Sequence, residues 1–272
     1  MRTNKTRSRV SIVIPAHNEE RHLQLCLEAI AAQAVPPFEA IVVNNNSTDQ
    51  TAKVARSFPF VRIVTEPNQG IVHARNTGFD TAKGDIIGRI DADIQLPPQW
   101  VAHVQAFYAD GAHANQAWSG TGYFYNVHLP RLVSWAYGLF AFRLNKVLTG
   151  HYTLWGSNMA ITQEQWEKVR GNTCDRVDIH EDLDLAIHLD RAGYGITYDT
   201  SIKTNAELRR VHADRHKLWD YLQWWPRTLR IHNKKTWVVC WFFGAFLLYL
   251  ATFLLVLIDY LARKITTHKS AT

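Results

Sequence analysis

The sequence predicts an α/β fold, a mostly parallel central sheet with helices on both faces, followed by a C-terminal transmembrane helix. Between residues 10 and 90, short β-branched runs alternate with helix-period segments four times, and the short connections imply parallel strands covered on both sides. The polar clusters at residues 16–19, 44–49 and 91–93 each follow one of these runs, and open parallel sheets bind ligands at the carboxyl ends of their strands. Residues 237–258 form a run of 22 without a charge. At about 1.5 Å per residue, that is enough to cross a hydrocarbon core of about 30 Å; a buried core helix is the alternative, though core helices are usually shorter than this.

Each element follows from a local pattern. Residues 10–14 are a β-branched run ended by Pro15, the pattern of a buried parallel strand. In the helix that follows, Leu23, Leu27, Ile30 and Ala34 share a face and Asn18 is the expected cap. Residues 40–43 make a second strand, stopping at Asn44, Asn45 and Asn46, after which Ser47 or Thr48 caps a helix through Val54. Residues 61–64 are the third strand, 71–82 the third helix, and 85–90 a fourth strand running into Asp91, Ala92 and Asp93. Beyond Trp100 the pattern is irregular, with a strand at 118–125 and an aromatic-rich helix at 129–148. That helix belongs either to the core or to a membrane interface. Thr162 and Gln165 form a capping box for a helix through Val169. A further amphipathic helix follows His180, burying Leu183, Ala186, Ile187 and Leu189.

The 272 residues are 47% hydrophobic and 20% charged, which excludes a disordered tail, a collagen or a coiled coil. Cys26, Cys174 and Cys240 are an odd, scattered set without C-x-x-C spacing, so neither a disulfide framework nor a zinc site is expected, and a reducing cytosol is the simpler setting. The formal charge of +6 concentrates at the extreme N-terminus and over residues 209–235, directly before the uncharged run. This points to a membrane rather than to nucleic acid. Trp237, Trp241 and Tyr260 lie near the ends of the run, where amphipathic rings favour the headgroup zone. The resulting division is a catalytic domain at 1–236, with halves at about 10–100 and 101–236, a transmembrane helix at 237–261 and a tail at 262–272. The heavier upstream basic flank and the lack of a leader pattern place the large domain on the cytoplasmic side of a cell inner membrane or plasma membrane.

Asp91 and Asp93 are carboxylates one residue apart at a strand end, offering hard oxygen ligands to a divalent cation, Mn2+ or Mg2+, that takes the rest of its shell from water and phosphate. A solvated turn is the ordinary alternative for a lone D-x-D. Arg75 on the preceding helix is a candidate bidentate phosphate partner or else a surface ion pair. Glu181 and Asp182 open a helix, where acids are also favoured by the helix dipole.

The runs V-S-I-V-I-P-A-H-N-E-E at 10–20, I-V-V-N-N-N-S-T-D at 41–49, N-Q-G at 68–70, A-R-N-T-G at 74–78, A-K-G-D at 82–85 and D-A-D at 91–93 occur in one order. Together they resemble the family 2 glycosyltransferases of the Rossmann-like GT-A fold. The resemblance implies a metal-dependent hexosyl- or N-acetylhexosaminyl-transferase with a nucleotide-diphosphate sugar donor, UDP-sugar favoured. Pro15, Ala16, His17, Asn18, Glu19 and Asn44 would lie about the nucleoside, Arg75 near the phosphates, and Asp91, Ala92 and Asp93 at ribose, diphosphate and metal. The sequence departs from the family by carrying three Asn at 44–46 where an Asp is usual; an Asn carbonyl still accepts from a base imide. Glu181 and Asp182, followed by L-D-L, resemble the acidic motif on the acceptor side, whose Asp is the base in inverting members; Asp182 is the favoured base, and Glu181 its alternative. Residues 156–160, G-S-N-M-A, resemble the segment beneath the acceptor. Arg209, Arg210 and His212 lie where related enzymes place diphosphate or metal contacts. Q-W-W-P-R at 223–227 is similar to the Q-x-x-R-W motif of processive members, but with Arg one place late. The implied activity is inverting transfer to a hydroxyl of a lipid-linked or membrane-proximal glycan acceptor. A polyprenyl-phosphate glycosyltransferase and a noncatalytic sugar-nucleotide-binding scaffold are the alternatives.

Overall fold

In the computed structural model, which describes residues 8–127, 129–207 and 215–233, seven strands form one sheet in the order β3-β2-β1-β4-β6-β5-β7. The strands are β1 (Val10–Ala16), β2 (Glu39–Asn44), β3 (Val61–Thr65), β4 (Ile86–Arg89), β5 (Gln116–Phe124), β6 (Met159–Thr162) and β7 (Gly195–Ala206). The pairs β1–β2, β2–β3, β1–β4 and β5–β7 are parallel, while β6 runs antiparallel to both β4 and β5. The chain builds β1, β2 and β3 outward on one side of β1 and then returns to its other side for β4. The carboxyl ends of β1 and β4 therefore flank the crevice where the winding direction reverses, the usual ligand position in such sheets.

Period-2 alternation sends side chains into two cores. Ile12, Ile14, Ala40 and Val42 face one core, with α1 (Leu23–Ala31) supplying Leu23, Cys26, Leu27 and Ile30. Val13, Ile41 and Val43 face the other, with α3 (Ile71–Thr81) supplying Ala74 and Phe79. A Cβ on Gly78 of α3 would overlap Val13 and touch Val43 at 3.0 Å, so the glycine lets this helix lie directly on β1 and β2.

Several expected boundaries shift. Asn18 does not cap α1; it adopts a left-handed φ of 56° and its Oδ1 accepts from Thr48 N–H at 2.8 Å, while the helix starts after His22. Ser47 and Thr48 do not cap α2 (Thr51–Arg56) either; Asp49 Oδ1 accepts from Thr51 N–H at 2.9 Å. Both differences have one cause: the short polar side chains of 18–20 and 47–51 are spent joining the loops after β1 and β2 to each other. Helix α4 (Trp100–Ala109) and strands β6 and β7 have no counterpart in the expected elements.

The aromatic segment expected as one helix at 129–148 is α5 (Pro130–Tyr137), a π-helical stretch Gly138–Leu144 and α6 (Asn145–Thr149). It serves the core on one side, where Phe142 stacks on Tyr198 at 4.0 Å, and leaves Leu132, Trp135 and Val147 exposed on the other. The expected capping box is present, with Thr162 and Gln165 opening α7 (Gln163–Val169). Helix α8 (Glu181–Arg191) begins at His180 as expected, and α9 (Arg215–Ile231) packs against it through Leu183, Ile187, Leu229 and Trp225. The run at 237–258, with the anchor built on it, and Arg209, Arg210 and His212 lie outside the described residues. Among the described residues no helix is long and apolar enough to cross a membrane.

Candidate active site

At the carboxyl ends of β1 and β2 the loops are held by their own side chains. His17 Nδ1 donates to Asn45 O at 2.7 Å, Glu19 N–H donates to Thr51 Oγ1 at 2.8 Å, and Asn44 Oδ1 accepts from Ser47 N–H at 3.3 Å. Asn45, the middle of the three asparagines, is buried. Its Nδ2 donates to the carbonyls of Glu66 and Asn68, and its Oδ1 accepts from Gly70 N–H at 2.8 Å. This Asn is therefore a strut between loops, which an Asp, lacking the NH2 donors, cannot replace. Pro15 and Ala16 close β1 and are buried, while His17 and Asn18 are exposed beyond them.

At the end of β4 the structure brings together residues that the sequence scatters over 93 positions. Arg89 is fully buried inside the strand, and its guanidinium forks onto three carboxyls. Nη1 donates to Glu181 Oε1 at 2.9 Å and to Asp182 Oδ1 at 2.5 Å, and Nη2 donates to Asp91 Oδ1 at 3.0 Å. Gly156 N–H fixes the other Asp182 oxygen at 2.8 Å, and Ser157 Oγ donates to Asp91 Oδ2 at 2.5 Å. The G-S-N-M-A segment thus lies directly against both acids. A Cβ on Gly156 would overlap the Arg89 guanidinium, so a glycine there makes room for the fork.

One buried cation facing three carboxyls leaves the set with an excess of negative charge, and the two helix acids respond in opposite directions. Burial and then the neighbouring Glu181 charge push Asp182 well above the usual carboxylate range, against the pull of Arg89. Burial also works to raise Glu181, but Arg89, His180 and Arg75 together hold it well below that range. Burial opposes the charge on Arg89 itself, and Asp182, Asp91 and Glu181 outweigh it. Asp182 is therefore the stronger base of the pair, and it is buried in the first turn of α8. The pushing apart of two adjacent titratable groups is the arrangement by which sites assign acid and base roles.

Arg75 is not presented at the rim. It is fully buried, its Nε and Nη2 donate to Asn76 Oδ1 at 3.0 and 2.8 Å, and its Nη1 donates to the Glu181 carbonyl at 2.8 Å. Ala92 is buried between the two acids of the D-A-D turn. Asp91, with its side chain 33% exposed, keeps a lone pair on each oxygen after accepting from Arg89 and Ser157, and Asp93 is also partly exposed. Two hard oxygen donors at an open strand end fit a divalent cation such as Mg2+ or Mn2+.

Arg89 is the residue the sequence reading missed. Its signal was available: a charged side chain inside a four-residue strand otherwise wholly buried demands buried partners.

Residues 11–169 match the family described as glycosyl transferase family 2. Among curated proteins, the glycosyltransferase AglE of Haloferax volcanii is 35% identical over 99 residues, covering 34% of this chain and 33% of AglE. Among solved structures, the mannosyltransferase PcManGT from Pyrobaculum calidifontis, in complex with GDP-Man and Mn2+, superposes with a TM-score of 0.66 at 23% identity, over 85% of this chain and 65% of that one. TarS residues 1–349 of S. aureus, in complex with UDP-GlcNAc, gives a TM-score of 0.59 at 17% identity, over 82% of this chain and 65% of that one. The fold is accordingly GT-A-like, and the chain spans about a third of AglE and two-thirds of each solved chain.

Proposed function

The chain belongs to glycosyl transferase family 2, and on that premise we propose that it is an inverting glycosyltransferase. It moves a sugar from a nucleotide-diphosphate sugar to a hydroxyl of a lipid-linked or membrane-proximal glycan. The observation that carries this reading is the Arg89 fork, which holds Asp182 and Asp91 on one guanidinium and so sets a base beside the D-A-D turn. Direct displacement at an anomeric carbon needs the acceptor proton removed as the diphosphate leaves. Asp182 takes that proton: one of its oxygens is fixed by Gly156 N–H, and Glu181 stays ionised beside it. Asp91 and Asp93 would hold a divalent cation, whose charge offsets that of the departing diphosphate. Arg75 enters the reading as a positioning residue, since its guanidinium holds the Glu181 carbonyl at the start of α8. The loops carrying Pro15, Ala16, His17, Asn18, Glu19 and Asn44 form the nucleoside side. PcManGT with GDP-Man and TarS with UDP-GlcNAc support a nucleotide-sugar donor, with UDP-sugar retained from the sequence. The uncharged run at 237–258 supports work at a cytoplasmic membrane face.

Asp182→Asn tests the reading. Arg89 keeps Glu181 and Asp91 in this variant, so the expected result is donor binding retained in a thermal-shift titration and turnover lowered by about 10²- to 10⁴-fold. Near-normal turnover would overturn the hydroxyl acceptor in favour of a phosphate acceptor such as a polyprenyl phosphate, which needs no base. Donor binding by the wild-type protein without any transfer or donor hydrolysis would leave only a sugar-nucleotide-binding scaffold.

A further inference from the structure

Helix α8 carries acids on two sides. Asp182 faces Arg89 and Gly156; Asp184, two residues on and so about 200° around the helix, faces the other way, toward α9. One turn further, His188 lies on the same face as Asp184, the i,i+4 relation that lets two side chains meet. Cys174, from the loop after α7, and His232, just past the end of α9, close on the same point. One ligand atom from each of Cys174, Asp184, His188 and His232 lies within 4.8 Å of all the others.

From this cluster we infer a zinc site, Cys174–Asp184–His188–His232, that ties α8 to α9 and is separate from the D-A-D turn. Thiolate, two imidazoles and one carboxylate are the ligand set of a four-coordinate zinc, and a thiolate disfavours the hard cations suited to Asp91 and Asp93. Zinc bond lengths of about 2.0–2.3 Å give tetrahedral edges of roughly 3.3–3.8 Å, so closing the site asks for movements of about 1 Å. The second observation is His188 Nε2. It is buried without a hydrogen-bond partner among the described residues and stands 3.6 Å from Asp184 Oδ1, beyond hydrogen-bond reach. A buried ring nitrogen aimed at a carboxylate and left unsatisfied is a polar cost that a metal bond removes.

The charge balance also favours occupation. Zinc exchanges for the Cys174 thiol proton, which leaves to solvent, and the 2+ charge then meets one thiolate and one carboxylate, giving a neutral centre. Without metal, His232 Nε2 lies 2.8 Å from Asp184 Oδ1 while Arg191 Nη1 donates to its Nδ1 at 3.0 Å. With metal on Nε2, the imidazole proton moves to Nδ1. Arg191 Nη1 turns away, and Nη2 keeps its bond to the His232 carbonyl at 3.1 Å. Zinc would in this way clamp α9 against the helix whose first turn bears Glu181 and Asp182.

The test is metal analysis of the purified full-length protein, followed by cobalt substitution. The expected result is one zinc per chain, a cobalt–thiolate charge-transfer band in the near ultraviolet, and a raised unfolding midpoint when zinc, but not manganese, is returned after chelation. Cys174→Ser should abolish the band while the protein stays folded, since a hydroxyl replaces a partly exposed thiol. His188→Gln should weaken zinc by at least the roughly 10- to 100-fold that loss of an outer-shell partner costs. A zinc-free protein that shows no cobalt–thiolate band overturns the site. So does zinc that survives both variants and is lost instead from Asp91→Asn/Asp93→Asn.

Discussion

Replacing Arg89 by Met tests the electrostatic reading of the site most directly. The Arg89 side chain is 2% exposed and, among the described residues, makes the ion pairs to Asp91, Glu181 and Asp182, so the variant leaves these acids in place without the cation that bonds all three. Removing one partner of a buried ion pair costs about 3–5 kcal/mol, because the remaining charge stays desolvated. For a chain of this size each kcal/mol moves the melting midpoint by about 2–4 °C, so the expected fall is about 6–20 °C by differential scanning fluorimetry near pH 7. The pH dependence gives a second readout. Without Arg89, burial raises the folded carboxyl values above their unfolded ones, so the folded state binds more protons and stability falls as pH rises. The deficit of the variant should therefore shrink near pH 5, where the orphaned acids protonate, and Arg89→Met/Glu181→Gln should recover part of it at pH 7. A fall of less than about 2 °C, or one equal at both pH values, would refute the account, since desolvated unpaired carboxylates cannot be insensitive to protonation.

Gly156→Ala should crowd the fork, because the added Cβ would overlap the Arg89 guanidinium and stand 2.6 Å from Asp182 Oδ1; a loss of about 1–3 kcal/mol by urea unfolding, with depressed kcat, is expected, and wild-type stability would show the segment able to move aside. Asp199 accepts from Trp118 Nε1 at 3.0 Å and from Ser201. Burial works to raise its carboxyl, but these bonds hold it down to about 2, so its stabilisation is present above about pH 4 and lost as pH falls through about 2. Asp199→Asn should melt lower than wild type at neutral pH and converge with it in acid; a gap constant down to about pH 2 would sink this assignment.

Strands β1 and β2 were legible because burial on both faces writes itself as near-continuous apolar runs, and the shorter apolar runs at 61–64 and 85–90 placed β3 and β4 as well. The second half was harder for physical reasons. Strand β6 has four residues, too few for a period, and β7 lies at the sheet edge, where Asp199, Thr200, Ser201 and Lys203 dilute its apolar pattern. Helix α4 carries a weak signal, Val101, Val104 and Phe107 at helical spacing within a single ten-residue segment. Side-chain loyalties are the least legible layer. Asn18 had the chemistry of a cap, but spent it across the loop on Thr48, 30 positions away.

Helix α8 shows why a short acidic motif is read incompletely from sequence. In E-D-L-D-L-A-I-H, Glu181 and Asp182 share Arg89 on one side, while Asp184 and His188 meet Cys174 and His232 on the other. Leu183 and Ile187 fill the space between α8 and α9, and Leu185 and Leu189 turn to the core beneath. The three acids of the first turn of α8, Glu181, Asp182 and Asp184, are buried, so each is matched by a partner from another element. Arg89 comes from a strand, Gly156 from a loop and His232 from beyond α9, none of them near α8 in sequence. The orientation of Asp182 is therefore a joint property of these elements. Loosening the α9 side should shift Asp182 through the helix it stands on, without changing Asp182, Arg89 or Gly156 themselves.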